Sequence, residues 1–516
     1  MSENKGVKFV KNCASVLFEK EYSVWFLVCF TLLVLFILLG ARELWTQESR
    51  WANITQEMMI RKDYWHPFLN NYEYYDKPLL TYWIVIGFYK VFGFNLWAIR
   101  LPSVICGLIT VWATYRIGTH LTSKKMGLIA GWLLITTFAY VYWARVASAD
   151  IYNMAGIMVA VYWFLKRKDN PNFLSFFVFF LLLTATALSK GLVGPCAIIV
   201  ALLPYLLYKN YWIKNFRWSC LISIIICVII YLIPFLISHY TDKSVKYDQS
   251  GLYEVFRENV VRYFAPFDHE GPIYTYFLYL PVYTAPWIIF AVGGIIVGIW
   301  KWWKISFASK FYILALILLF IFFSGSGSRR SYYVLPLIPF TILLAADWIH
   351  IASEKCKPVY YFAGVLAWLS LIVVFILTIL FSYGNMGGGI YEFSNQIKTD
   401  ASKISPWNDW TVTYVTVKEE YIRDTCFYLD YNKLPIYYNF DAEKINDPAY
   451  MDKFVSELKL NSRNILMINK SYADSFEKYI DKSKYKEFEV EKLNSDRWFN
   501  KKISRKRDLV AFVPLN

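Results

Sequence analysis

The sequence is short of the residues that build disulfide frameworks and metal clusters. Its 516 residues include 5 His and 8 Cys. The cysteines are scattered, none forms a Cys-x-x-Cys pair, and most lie in or beside apolar runs. Neither a disulfide scaffold nor a cysteine metal site is therefore indicated. No dense His/Cys group of the kind that holds a catalytic zinc is present either. Charge is sparse, at 18% of residues, and sits between the apolar runs rather than deep within them. A transporter needs ionisable groups lining a path through its spans, so this distribution argues against one. No internal repeat of the transporter kind is visible. The first apolar run, Val24–Gly40, lacks a plausible cleavage site after it and reads as a retained helix rather than a removed signal.

What is present is aliphatic and aromatic surface. The chain is 57% hydrophobic and 20% aromatic, with 21 Trp, 41 Tyr and 40 Phe, and its mean hydropathy is +0.35. Soluble domains are nearer half apolar and carry fewer rings. Apolar runs of roughly 17–25 residues recur along the chain, the mark of a polytopic α-helical membrane protein. The net charge of +15 lies mostly between these runs and near the C-terminus. It reads as a topology signal, not as a nucleic-acid footprint.

Lys5, Lys8, Lys11 and Lys20 place the N-terminus in the cytoplasm. From there the alternation of spans and Lys/Arg-bearing loops gives about 11–13 transmembrane helices, with 11 as the central count. Leu79–Phe94 is short for a crossing and reads as a surface or re-entrant helix. The sequence divides into a membrane domain, 1–383, and an extracytoplasmic domain, 384–516, joined by the flexible Gly384–Gly389 stretch. The second part alternates strand-like runs (Trp410–Val417, Pro435–Phe440, Asn464–Ile468) with helical ones (Tyr450–Leu458, Tyr472–Ile480). That pattern predicts a small C-terminal α/β domain. Its lone Cys426 has no partner within the domain. The basic tail, Lys501, Lys502, Arg505, Lys506 and Arg507, suits either anionic headgroups or a plain solvated surface.

The loop Arg42–Pro78 is polar, charged and aromatic at once, so lipid does not surround it. Trp51, Ile54 and Met58 recur at helical spacing, with Arg50, Glu57 and Arg61 outside that stripe. The spacing predicts an amphipathic outer-face helix. It either lies on the membrane surface, carrying Glu48 and Lys77 over the bilayer edge, or is an ordinary surface helix. In the same topology Glu48, Arg50, Asp76, Lys77, Asp150, Lys190, Arg262, His269, Arg329 and Arg330 all fall on the outer face. Ionisable residues at span ends are commonly interfacial anchors, but a set gathered on one face is a candidate site. Lys and Arg around a few carboxylates suit an anionic, lipid-borne phosphate. The carboxylates would act as base or orient the cations.

Seven motifs in order resemble the lipid-to-lipid A aminoarabinose transferases and, more distantly, the protein O-mannosyltransferases. Both are polyprenyl-phosphate-sugar-dependent glycosyltransferases of the C type. The motifs are Gln47-Glu48-Ser49-Arg50-Trp51-Ala52, Tyr74-Tyr75-Asp76-Lys77-Pro78-Leu79, Arg100-Leu101-Pro102, Ala144-Arg145 through Asp150, Ser189-Lys190-Gly191-Leu192-Val193-Gly194, His269-Glu270-Gly271-Pro272 with Pro286-Trp287, and Arg329-Arg330-Ser331-Tyr332-Tyr333-Val334-Leu335-Pro336. They cover the membrane part; the C-terminal domain resembles the family in position and size only.

The resemblance implies a multi-pass inner-membrane transferase with its active site and C-terminal domain in the periplasm. The donor would be a sugar, aminoarabinose or another aminosugar such as galactosamine, on undecaprenyl phosphate. The acceptor would be a lipid A phosphate or another glycolipid, with membrane lipids around it. A protein O-glycosyltransferase or glycan-modifying enzyme would share the architecture. Glu48, Lys77 and Asp150 would be the catalytic candidates. Lys77, Arg262, Arg329 and Arg330 would bind the donor phosphate; Arg50, Trp51, Tyr74 and Lys190 would line the substrate site. Asp76 and His269 would be ligands of a divalent metal such as zinc, although a surface imidazole is an equal reading of His269. One departure matters: the family's first Asp, a proposed catalytic carboxylate, is Gln47 here, and an amide takes no proton at neutral pH. Either Glu48 or Asp150 replaces it, or an ionised phosphate acceptor needs no strong base.

Overall fold

The computed structural model describes residues 5–208, 211, 215–241, 257, 261, 270–383, 389–417, 425–429, 432–458, 462–490 and 509–515. Arg262, His269, most of the glycine joint and the basic tail lie outside the described residues. The chain divides into two compact units. The first comprises 1–39, 75–84 and 100–380, and the second 40–74, 85–99 and 381–516.

The first unit is helical. Among the described residues six helices are long and apolar enough to cross a membrane, or up to eight if each bent pair counts as one span. The six are Leu96–Leu121, Phe173–Lys190, Trp218–Thr241, Phe307–Gly325, Leu337–Lys355 and Lys357–Tyr383. The bent pairs, Lys124–Ile135 with Phe138–Ala144 and Thr275–Thr284 with Ile288–Trp300, turn by 72° and 115°. The sequence suggests straight crossings over Gly127–Ala144 and Val282–Trp300; the turns at Thr136-Thr137 and Ala285–Trp287 break them. Ser23–Phe36, Leu80–Phe92 and Val193–Leu207 are shorter apolar helices. The 13-residue Leu80–Phe92 is the segment expected to be too short to span.

Helix starts fall where the sequence offers side-chain acceptors for otherwise unpaired amides. Ser123, Ser148, Asn172 and Ser306 each accept from an amide of the helix they cap. Residues near the same ends of the helices also meet. Lys125 pairs with Glu19 at 2.7 Å, and the Tyr360 hydroxyl donates to the same Glu19 carboxylate at 2.9 Å. These belong to the end assigned to the cytoplasm. The Lys190–Asp150 pair belongs to the other.

Small residues let the helices Ala149–Arg167, Phe173–Lys190 and Val193–Leu207 pack closely, as membrane helices require without a hydrophobic drive between them. A Cβ on Gly156 would lie 2.2 Å from Thr186 Oγ1, and one on Gly194 2.3 Å from Asn153 Oδ1. Thr186 is not free to yield, because its hydroxyl donates to the Leu182 carbonyl at 2.6 Å. Gly156→Ala is therefore expected to lose about 1–3 kcal/mol through overpacking. Gly87→Ala, whose Cβ meets nothing within 4 Å, is expected to be neutral or slightly stabilising. Thermal unfolding of the detergent-solubilised variants checks both; an unchanged midpoint for Gly156→Ala would disprove the tight contact.

The second unit joins the first loop to the C-terminal segment. The helix Thr46–Arg61 buries Trp51, Ile54 and Met58, as their spacing predicts. The expectation that Glu57 stands outside the buried stripe is corrected: Glu57 is buried, as are Ser49, Asn53, Thr55 and Gln56. The cause is the two-stranded hairpin β1 (Phe68–Leu69) and β2 (Tyr72–Glu73), which follows the helix and covers this face. The Leu44 amide donates to the Tyr428 hydroxyl at 2.6 Å, and the Gly389 amide to the Glu43 carboxylate at 3.1 Å. These tie the loop to residues more than three hundred positions along the chain.

The C-terminal segment forms a five-stranded sheet in the order β4 (Ile436–Phe440), β3 (Thr411–Val417), β5 (Asn464–Asn469), β7 (Leu509–Pro514), β6 (Tyr485–Glu489). The β4–β3 and β3–β5 pairs are parallel; β5–β7 and β7–β6 are antiparallel. Both faces are covered, so β5 and β7 are buried along their whole length, as a two-sided sheet requires. Phe393 and Ile397 of the helix Ile390–Ile404 pack with Val412 and Tyr414 on one face. Met451, Phe454 and Phe476 pack with Val415 and Leu466 on the other.

Candidate active site

In the first unit the candidate site lies where Asp150 meets Lys190. Asp150 lies in the first turn of Ala149–Arg167, where a negative side chain suits the helix dipole. Lys190 is the last residue of Phe173–Lys190, where a cation suits it equally. Gly191 follows with φ 107°, a left-handed turn that a side chain would strain. The two side chains form a buried ion pair through Asp150 Oδ1, with side-chain exposures of 7% and 13%. The other carboxylate oxygen, Oδ2, accepts from the Ser148 hydroxyl at 2.6 Å. Lys190 Nζ also stands 4.8 Å from the centre of the Tyr333 ring, a cation–π distance.

The aromatic wall continues from there. Tyr332 and Tyr333 meet edge to face, and Tyr332 packs on Trp143. Arg330 donates to the Tyr332 hydroxyl at 3.2 Å and lies over its ring. Tyr276 lies within electrostatic reach of Asp150, Arg329, Tyr332 and Tyr333. Arg329 has a different environment. Its guanidinium donates twice to the Ser324 carbonyl, at 2.9 and 3.1 Å, and once to the Gly271 carbonyl. It builds the loop that carries Arg330.

Lys77 belongs to the same unit. Its ammonium donates to the carbonyl of Asp76 at 2.9 Å, and both residues are half-buried. Four residues on, Thr81 donates to the Ser189 carbonyl at 3.0 Å. That bond fixes the Lys77 segment against the end of the helix that carries Lys190. Arg145 was singled out in a motif without a role. It donates to the Val34, Leu35 and Ile37 carbonyls at 2.6–3.0 Å, closing the end of Ser23–Phe36, whose last carbonyls have no partner within the helix. Arg100, 1% exposed, does the same for Leu39 at 2.8 Å.

The remaining candidates among the described residues lie in the second unit. Glu48 is wholly buried; it accepts from the Trp45 amide at 3.0 Å and from Arg42 at 2.9 Å. It is the third residue of its helix, and its bond back to Trp45 is half of a capping box. Arg50 donates to the Tyr74 hydroxyl at 2.7 Å. Trp51 is buried in the helix stripe. Burial pushes the Glu57 carboxyl up, and the charge of Arg61 and the amides of Asn71 and Asn70 only partly offset it. A raised carboxyl contributes stability below the ordinary glutamate range and loses it as pH rises through the folded value. Glu57→Gln is expected to flatten that dependence, so its unfolding midpoint falls less than that of the wild type from about pH 5 to about pH 8. A wild-type slope in the variant would contradict this.

The implied metal can be tested against the residues. Asp76 offers one carboxylate, and its proposed partner His269 lies outside the described residues. Among the described residues no three His, Cys, Asp or Glu side chains come together. The described residues do not complete a ligand set, and no step below runs through a metal.

Residues 76–237 match the family described as dolichyl-phosphate-mannose-protein mannosyltransferase. The undecaprenyl phosphate-alpha-4-amino-4-deoxy-L-arabinose arabinosyl transferase of Shewanella sediminis (strain HAW-EB3) is 22% identical over 70% of this chain and 66% of its own. The corresponding transferase 1 of Pseudomonas fluorescens (strain Pf0-1) is 24% identical over 58% of this chain and 52% of its own. The matched part thus spans less than two thirds of these relatives. The crystal structure of ArnT from Cupriavidus metallidurans bound to undecaprenyl phosphate superposes with a TM-score of 0.72 at 16% identity, covering 96% of this chain and 98% of that one. This chain thus resembles the aminoarabinose transferases in sequence over more than half of its length and ArnT in fold over nearly its whole length, and its residues 76–237 resemble the protein mannosyltransferases.

Proposed function

We propose that the protein is an inner-membrane glycosyltransferase that moves a sugar from undecaprenyl phosphate to a phosphate of lipid A. The observation that carries this reading is the buried Asp150–Lys190 pair facing Tyr333, beside Arg330. Cations fixed by carboxylate and aromatic partners at one end of a helical bundle suit a lipid phosphate. An oxygen of the acceptor phosphate attacks the anomeric carbon. The bond from that carbon to the polyprenyl phosphate breaks, and the departing phosphate keeps the electron pair. Lys77 and Arg330 stabilise the charge that develops on it, as fixed cations in a water-poor site do best. Asp150 orients Lys190 rather than removing a proton, because both of its oxygens are engaged. The site and the C-terminal domain lie on the periplasmic face; the supporting observation is the Lys/Arg content of the opposite loops. The sugar is aminoarabinose or another aminosugar.

The match of residues 76–237 to the protein mannosyltransferases favours a second reading, transfer to a protein hydroxyl. Mass spectrometry of lipid A and of membrane proteins, from cells with and without the gene, separates the two. The first reading expects lipid A carrying one added sugar on phosphate, in gene-bearing cells only. Unchanged lipid A beside a newly glycosylated protein would replace it with the second.

A further inference from the structure

We propose that Ser148 is a positioning residue for the transfer: its hydroxyl holds one oxygen of Asp150, so that the other holds the Lys190 ammonium against Tyr333. The inference rests on the glycosyltransferase reading for its catalytic consequence, but not for its geometry. A serine hydroxyl has one donor hydrogen and two lone pairs. Here a lone pair accepts from the Asp150 amide at 3.2 Å, which is the helix cap. The hydrogen goes to Asp150 Oδ2 at 2.6 Å. A cap needs only the first of these bonds; the second is spent on orienting a carboxylate.

That orientation has consequences. Asp150 is buried, so a carboxylate oxygen without a donor is strongly disfavoured. With Oδ2 fixed by Ser148, Oδ1 has one direction left to face, and Lys190 occupies it. Lys190 reaches this point from a helix end, followed by the left-handed Gly191. Its backbone is fixed on that side too, through the Thr81 bond to Ser189. The ammonium is thus held between Asp150 and the Tyr333 ring, and its remaining hydrogens serve an anionic oxygen of the substrate. Among the described residues, Tyr276 lies within electrostatic reach of Asp150, and of Arg329, Tyr332 and Tyr333 as well.

The test uses the full-length protein in detergent, with Ser148→Ala, Ser148→Thr, Asp150→Asn and the Ser148→Ala/Asp150→Asn double variant. Loss of a hydrogen bond to a charged group is expected to lower kcat/KM about tenfold in Ser148→Ala. Threonine keeps the hydroxyl and is expected to recover most of that loss. In the Asp150→Asn background, Ser148→Ala is expected to change kcat/KM by less than about twofold, since the contact it served is already gone. If alanine prevents folding, Ser148→Gly, which nearly keeps the cap preference but has no hydroxyl, takes its place. A second readout needs no turnover. An ammonium held against a carboxylate acylates slowly, so labelling of Lys190 by an amine-reactive ester, read by mass spectrometry, is expected to quicken several-fold in Ser148→Ala and Asp150→Asn but not in Ser148→Thr. The proposal is overturned by wild-type transfer and labelling in Ser148→Ala, by failure of threonine to rescue, or by an equal loss in the Asp150→Asn background, which marks a cap alone. A wild-type protein that transfers no sugar would overturn the glycosyltransferase reading instead, and the labelling rates would still decide the role of Ser148.

Discussion

Lys77→Ala is expected to lower transfer by about 10²–10³-fold, the range seen when one fixed donor to a developing oxyanion is removed. The residue stands beside Pro78 at the start of Leu80–Phe92, with its ammonium on the Asp76 carbonyl at 2.9 Å. The Thr81–Ser189 bond makes this segment part of the framework that holds Lys190. Lys77 is therefore fixed before substrate arrives, the condition under which electrostatic stabilisation is strongest. Lys77→Arg is expected to retain part of the activity. It keeps the charge but replaces a compact ammonium with a planar fork that fits the same space imperfectly. The measurement is kcat/KM together with affinity for undecaprenyl phosphate, at equal amounts of folded protein. Wild-type transfer by the alanine variant would remove Lys77 from the site.

The elements whose signals are local were legible in the sequence. The strands expected at Trp410–Val417, Pro435–Phe440 and Asn464–Ile468 stand at Thr411–Val417, Ile436–Phe440 and Asn464–Asn469. Their apolar, β-branched runs are bounded by polar residues. The last two strands of the sheet, β6 and β7, were not read. In Tyr485–Glu489 the alternation is blurred by Lys486 and Glu487. Leu509–Pro514 follows a run of basic residues that dominates its window. The bends at Thr136-Thr137 and Ala285–Trp287 were missed because hydropathy averages over a window and does not register a change of axis. The burial of Glu57 was missed because the helix pattern cannot see the hairpin that covers it.

The site was legible as a set of residues but not as a set of contacts. Asp150 and Lys190 were both candidates, yet only the fold shows that they are partners. Ser148 carried a readable signal, a serine just before an apolar helical run, but its second bond did not. Arg329 and Arg330 look equivalent in sequence. In space one guanidinium closes a loop through the Ser324 and Gly271 carbonyls, while the other lies along Tyr332. Neighbouring side chains in an extended segment point to opposite sides, and no composition argument says which side is which.

Glu48→Gln is expected to damage the fold more than the chemistry. Gln47 stands where the family has a carboxylate, and Glu48 is the neighbouring candidate for a base. Residues one apart on a helix point about 100° apart, so Glu48 does not occupy the place that Gln47 leaves. Its carboxylate is wholly buried, accepts from Arg42 at 2.9 Å and closes the capping box on Trp45. Glutamine keeps an oxygen for the Trp45 amide but leaves the buried Arg42 charge without this carboxylate, a change that typically costs about 3 kcal/mol or more. The unfolding midpoint should fall accordingly, while the rate per folded molecule drops far less than the roughly 10²–10⁴-fold typical of losing a general base. The chemical reason is the acceptor phosphate proposed above. A phosphate with a second pKa near ~6 is largely ionised at neutral pH and attacks without a base. For the same reason Gln47→Asp is expected to change the rate only modestly. Asp150→Asn should cost more, because it releases Lys190. The three rates are to be compared on one defined acceptor at matched folded protein. If Glu48→Gln is fully folded yet inactive, and raising the pH restores transfer, then Glu48 is the base, and a protein or glycan hydroxyl becomes the better acceptor.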